Sequence, residues 1–242
     1  MLRFRARNLG ILGLVSMALY LAVLGTPVAY IFPTVVTLAS LIAIPTGIAR
    51  HKPSHPGAWW LMFGGMAFHS IAALLWVFGS APVYANGTTG FPNLFHIAGY
   101  ICLGAGALLL LGRRRFREDP AEALDTLIIV TALGVASWGL ILRPLGSNID
   151  LDGGVTALLT IYPLIALATV GCSAQLWFAS SGTKNTSMRL VVAALSTLVI
   201  GNIFQSALVL ADGQTWGGGF SVVIRMPFFI LLGMAALHPS MA

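Results

Sequence analysis

The chain has 242 residues, of which 57% are hydrophobic and only 8% charged, with a mean hydropathy of +0.90. A water-soluble domain carries about a quarter charged residues, so this composition excludes a soluble globular protein. The net charge of +6 does not call for nucleic acid, because the basic residues fall in short segments between apolar runs, where membrane topology explains them.

Arg3, Arg5 and Arg7 precede a first apolar run, about Leu9 to Leu24. The start mimics a signal peptide. No small-residue cleavage site follows, so an uncleaved first span is expected. Gly25-Thr26-Pro27 interrupts the run, and a second span extends from about Ala29 to Ile48, ending at Arg50-His51-Lys52. A single helix from Leu9 to Ile48 would be about 60 Å long at 1.5 Å per residue, twice the thickness of a bilayer core. Two spans that go out and return are therefore expected.

A third span runs from about Ala58 to Phe78, and an uncharged Gly-, Pro- and Asn-bearing loop follows to Asn93. Asn86-Gly-Thr and Asn185-Thr-Ser match a glycosylation acceptor, a three-residue pattern too weak to carry weight. The fourth span, about Leu94 to Leu111, ends at Arg113-Arg114-Arg115-Phe116-Arg117-Glu118-Asp119-Pro120. This run divides the chain into halves, 1–112 and 123–242, within one integral membrane domain. Four arginines in one short loop place it in the cytoplasm.

Asp119 can cap the next helix, Pro120 suits its first position and Glu122 stands three residues after the cap. The fifth span is about Ala123 to Leu142, the sixth Val155 to Ala179, the seventh Leu190 to Leu210 and the eighth Phe220 to Leu237. His238-Pro239 stops the last. The expected fold is all-α: a polytopic bundle of about eight transmembrane helices, with both termini cytoplasmic. Of 13 lysines and arginines, this topology leaves only Arg143 and Arg225 on the outer half. Six tryptophans, Trp59, Trp60, Trp76, Trp138, Trp177 and Trp216, stand mostly near span ends, as interfacial anchors do.

Polar residues inside spans are the candidates for function. Arg225 is the one full charge placed within a span. It lies about 8 Å from the outer end of the eighth helix, so snorkelling, or pairing with Asp150, Asp152 or Asp212, accounts for it as plainly as a ligand contact does. His69 lies midway along the third span and His96 near the outer end of the fourth. Each can be a neutral ring bonded to a neighbouring helix. Their apparent difference in depth argues against a shared metal. Asp125, one turn into the fifth helix, is favoured by the helix dipole alone. Asn93, Gln175, Asn202 and Gln205 read as glue between helices. The glycines at 64, 65, 99, 104 and 106 read as close-contact positions. Cys102 and Cys172 have no disulfide or metal spacing. No phosphate-binding loop, nucleophile elbow or pair of intramembrane carboxylates is present, and the residues call for no cofactor.

Several segments stand in a suggestive order: Gly47-Ile-Ala-Arg-His-Lys-Pro53 before Trp59-Trp60; Phe91-Pro-Asn-Leu-Phe-His-Ile-Ala-Gly-Tyr100; Leu110-Leu-Gly-Arg-Arg-Arg115; Ala123-Leu-Asp-Thr-Leu-Ile-Ile-Val130 with Ser137-Trp138 and Pro144; Tyr162-Pro-Leu164; and Ala235-Ala-Leu-His-Pro-Ser-Met241. Together they resemble the membrane-embedded N-terminal region of large bacterial signalling proteins that carry cytoplasmic GGDEF and often EAL domains. The resemblance covers about residues 40 to 241. It implies a sensory or regulatory module in the inner membrane, with a cytoplasmic output domain that makes or degrades cyclic di-GMP and lies beyond this sequence. It marks Arg113, Arg114, Arg115, Arg117, Asp125 and His238 as signalling or topology positions. The expected partners are the lipid bilayer, that output domain and a second copy of the chain as a homodimer, with no nucleic acid. The family often has an acid where this chain has Asn93, Ala166 and Asn202, whereas Asp125 is retained. The alternative, from composition and spacing alone, is a small-solute transporter or channel.

Overall fold

The computed structural model describes residues 5–78, 90–115, 120–139, 143, 153–181, 185–212 and 219–241. Arg3, Asn86, Arg117, Asp150, Asp152, Lys184 and Trp216 lie outside them. Among the described residues the chain is all-helical, without strands. Its eight α-helices are α1 (Ala6–Ala22), α2 (Ile31–His51), α3 (Pro56–Phe78), α4 (Gly90–Arg115), α5 (Pro120–Ser137), α6 (Gly153–Ser181), α7 (Thr186–Asp212) and α8 (Gly219–Leu237). Short 3₁₀ turns occupy Pro27–Tyr30 and Pro239–Met241.

Among the described residues, four stretches are long and apolar enough to cross a membrane: Pro27–His51, Pro56–Leu75, Pro92–Leu111 and Thr186–Phe204. Leu14, Leu38, Ile42, Leu94, Ile101 and Val135 are all more than half exposed. An exterior as apolar as the core is what a membrane protein presents to lipid, and each α-helix satisfies its own backbone there.

Gly25 adopts φ +88°, a conformation that L side chains resist, and Pro27 follows. The break separates α1 from α2, which return antiparallel: Leu9 at the start of α1 packs with Ala43 near the end of α2 and with Leu237 of α8. The chain therefore makes two helices here, not one kinked rod.

Helices α2, α3, α4, α6, α7 and α8 touch in succession and close a ring. α1 rests outside it against α2 and α8, and α5 rests outside it against α6. Ile44, Met62, Met66, Leu103, Leu195 and Leu232 fill the middle. Lipid is no less apolar than this core, so close packing rather than water exclusion holds such helices together. Gly65, Gly99 and Gly106 serve that end. A Cβ on Gly65 would lie 2.6 Å from Leu103, and one on Gly106 would lie 3.0 Å from the Ala58 carbonyl. Gly104 has nothing within 4 Å, so its expected role in contact does not hold. Trp59, read as an interfacial anchor, is buried in the core, whereas Trp60, Trp138 and Trp177 are exposed.

At the end of the bundle where the basic residues gather, α7 and α8 are clasped. The Ser187 hydroxyl donates to the Ala235 carbonyl at 2.7 Å, and the Ser187 N–H donates to Ser240 Oγ at 2.8 Å. Ser240 in turn approaches His238 Nδ1 with its hydroxyl at 2.8 Å and its N–H at 3.2 Å. Both are donors, so Nδ1 accepts and the Ser–His contact is a cap, not an activated nucleophile. Asn185 Oδ1 caps α7 by accepting from Met188 N–H at 3.1 Å. Ser187→Ala should lower bundle stability by about 1 kcal/mol, read as a lower thermal midpoint in micelles. An unchanged midpoint would show that the clasp does not hold α7 to α8.

On the other flank, Gln175 Nε2 of α6 donates to Thr126 Oγ1 of α5 at 2.6 Å, the helix-gluing role expected of an intramembrane amide. Asp125, beside it, is exposed. Arg113, Arg114 and Arg115 form the last residues of α4.

Candidate functional site

The three intramembrane candidates, His69, His96 and Arg225, come together around one cavity. It measures about 40 Å³ and is lined by His69 and Ala73 of α3, His96 and Tyr100 of α4, Leu198 and Asn202 of α7, and Arg225, Phe228 and Phe229 of α8. Two helix pairs remote in sequence, α3–α4 and α7–α8, thus deliver their polar residues to one place.

The expected separation of His69 and His96 in depth does not hold. Their rings stand 5.2 Å apart, edge to face. The reason is the start of α4, which begins at Gly90 rather than near Leu94. His69 lies about nine residues before the end of α3, and His96 about six residues into α4. In antiparallel helices that is a difference of only about 5 Å.

His69 is the best defined of the group. It is 5% exposed. Its Nδ1 lies 2.9 Å from the Gly65 carbonyl, one turn back. A carbonyl can only accept, so Nδ1 carries the proton and Nε2 of the neutral ring is an acceptor. Nε2 is buried and has no hydrogen-bond partner in the protein. The ring stacks edge-on against Tyr100, with centroids 4.8 Å apart, and lies 5.8 Å from Phe228. Gly99 makes this possible, because a Cβ there would strike the imidazole.

Asn202 Nδ2 donates to the Tyr100 hydroxyl, tying α7 to α4. Asn202 is a helix-gluing residue as expected, but it also lines the cavity. Tyr100 was not singled out as a site residue. Its spacing was the available signal, since it stands four residues after His96 and so shares its helix face. Among the described residues that line the cavity, Arg225 supplies the only charged side chain and none is a carboxylate.

A cavity of this size accommodates roughly one water or a small polar group. No three His, Cys, Asp or Glu side chains gather among the described residues. What the site offers is a guanidinium with only donors, an imidazole acceptor, and an aromatic and aliphatic surround. That arrangement suits recognition of one small polar group in a low-dielectric setting, where each bond is strong. His238 and Asp125 stand away from it, in the α7–α8 clasp and on the exposed face of α5. Comparison with protein-family models, with curated proteins and with solved structures finds no match for this chain.

Proposed function

We propose that this chain is the sensory or regulatory part of a bacterial signalling protein of the inner membrane. In this reading all eight helices span the bilayer. Both termini and the loop at 113–122 face the cytoplasm, because the basic residues sit at the helix ends on that side. The cavity lies toward the outer half and is where a condition is read.

The observation that carries the reading is the double attachment of α8. It contributes Arg225, Phe228 and Phe229 to the cavity. About 20 Å further along the same helix, its end is clasped to α7 through Ser240 and Ser187. A shift of α8 at the cavity is thereby delivered to the cytoplasmic end. The sequence resemblance supports a cyclic di-GMP output domain as the receiver. Buried polar groups within a bilayer are costly and mark functional sites.

The test is a fusion of the chain's C-terminus to a diguanylate cyclase. Arg225→Gln and His69→Gln should each change cyclase output several-fold, whereas Leu133→Ala, on an exposed face of α5, should not. Output indifferent to both cavity substitutions would end the sensory reading. The same polar cluster also favours a small-solute transporter. Proteoliposome flux that depends on Arg225 would put that function in its place. The filled core of Met62, Met66, Leu103 and Leu232 favours the sensor.

A further inference from the structure

A second and larger hollow lies beside the first, between α2, α3 and α8. Its volume is about 340 Å³, within the size of small-molecule sites. Leu38, Ile71 and Leu74 line it and are 54%, 38% and 47% exposed. The hollow therefore opens sideways, onto the apolar exterior of the bundle, and what fills it enters from the lipid. Ala73, Arg225 and Phe229 line both hollows. A long apolar groove thus leads to the small polar cavity.

What the cavity asks of an occupant is set by His69. This residue is only 5% exposed and gives its Nδ1–H to the Gly65 carbonyl. Nε2 is then an acceptor, buried and without a hydrogen-bond partner in the protein. A buried acceptor in that state is costly until a donor reaches it. The groove is alike in kind. The Thr34 and Ser70 hydroxyls, which line it, donate to the Tyr30 and Met66 carbonyls at 2.8 and 2.7 Å, so their oxygens have only acceptor capacity left. Arg225 already interacts within the protein, and its charge disfavours a second cation beside it. An ammonium head is thereby rejected, while a sulfate, phosphate or ionised carboxylate has no proton to give. A neutral hydroxyl meets the demand. At the end of a chain it fits a cavity of about 40 Å³, which a glycerophosphate headgroup does not.

We infer that groove and cavity together bind one single-chain lipid that ends in a neutral hydroxyl. The tail lies among Leu38, Ile71 and Leu74, and the terminal O–H passes Ala73 and donates to His69 Nε2. The apolar surround strengthens that bond, since little water competes for it. An ether of the same length would set a second acceptor against Nε2 and leave both unpaired. This deepens the sensory reading and rests on it for its meaning, since the alcohol becomes the signal perceived.

The test uses the full chain in phosphatidylcholine nanodiscs and a diazirine-bearing hexadecanol. Labelling should fall in α2, α3 or α8. Unlabelled hexadecanol should compete at least about tenfold better than its methyl ether, hexadecylamine or hexadecyl sulfate, the difference made by one buried hydrogen bond. His69→Phe removes the acceptor, keeps a ring in its place and should abolish the preference for alcohol over ether. Leu38→Trp and Ile71→Trp fill the groove from the exposed side, spare the fold and should cut labelling severalfold. If His69→Phe does not fold, the preference of the unaltered chain and the two groove variants still decide. Equal competition by the ether, tighter binding of the amine or the sulfate, or labelling indifferent to both groove variants overturns the inference. So does a folded His69→Phe protein that keeps the preference. Saturable hexadecanol binding with no change in cyclase output from the fusion upholds the site and removes the sensory reading. Output that depends on His69 with no hexadecanol binding removes the inference and leaves that reading standing.

Discussion

Gly47→Ala should destabilise the bundle by about 2 kcal/mol, and Gly47→Leu should prevent its folding. A Cβ at Gly47 would strike the Ala236 carbonyl oxygen of α8, lie 2.8 Å from the carbonyl carbon and 3.1 Å from Met241 Sδ. Two effects oppose each other. Alanine gains roughly 1 kcal/mol over glycine in a helix interior. Overpacking costs about 1–3 kcal/mol, and more where the neighbour cannot turn away. Here the neighbour is backbone in the last turn of a buried helix, so overpacking wins. Gly104→Ala is the matched control. Nothing lies within 4 Å of its Cβ position, so the propensity gain of roughly 0.5–1 kcal/mol stands alone. Chemical or thermal unfolding in micelles should give shifts of opposite sign for the same substitution. Shifts of the same sign would mean that α2 and α8 do not meet at Gly47.

Phe228→Ala should cost about 3 kcal/mol, while Phe228→Leu should cost about 1. Phe228 is fully buried and stands where the core meets the polar cavity, 5.8 Å from the His69 ring and 5.0 Å from Phe229. In a soluble protein, losing such a ring costs about 3–5 kcal/mol, part transfer and part cavity. In lipid the transfer part shrinks, because the alternative surroundings are just as apolar. The cavity part remains and sets the lower figure. The deletion would also join the void to the 40 Å³ polar cavity and free the His69 ring on one side. Cyclase output from the fusion should therefore move with stability in Phe228→Ala and stay near wild type in Phe228→Leu. Unfolding midpoints that do not separate the two variants would show that Phe228 is not packed as described.

Much of the architecture was legible in the residues because lipid imposes a simple rule. Apolar runs of about 20 residues must be helices there, and each of the eight expected runs overlaps one of the eight described helices. The Gly25 break was legible because one helix through it would be too long. Depth was less legible. The apolar signal fades through Phe91-Pro-Asn, yet the backbone is helical from Gly90, and that error parted His96 from His69. Arg225, His69 and His96 stood out because polar residues are rare in such spans. Their convergence, with Tyr100 and Asn202, depends on which helices are neighbours, and an exterior as apolar as the interior hides that. For the same reason Gly13, Gly47 and Gly233, which lie against Ile230, Ala236 and Leu9, could not be told from glycines that touch nothing. The lateral groove has no sequence signature at all.

α8 is the last of the described α-helices in chain order, yet it packs on α1, α2 and α7. During synthesis the early helices therefore enter the membrane before their partner exists. The faces built around Gly13, Ser40 and Gly47 must meanwhile be covered by lipid, insertion machinery or a chaperone. A ribosome stalled before α8 leaves the preceding helices with an open seam, so quality-control proteases have a ready mark by which to distinguish an unfinished chain from a finished one.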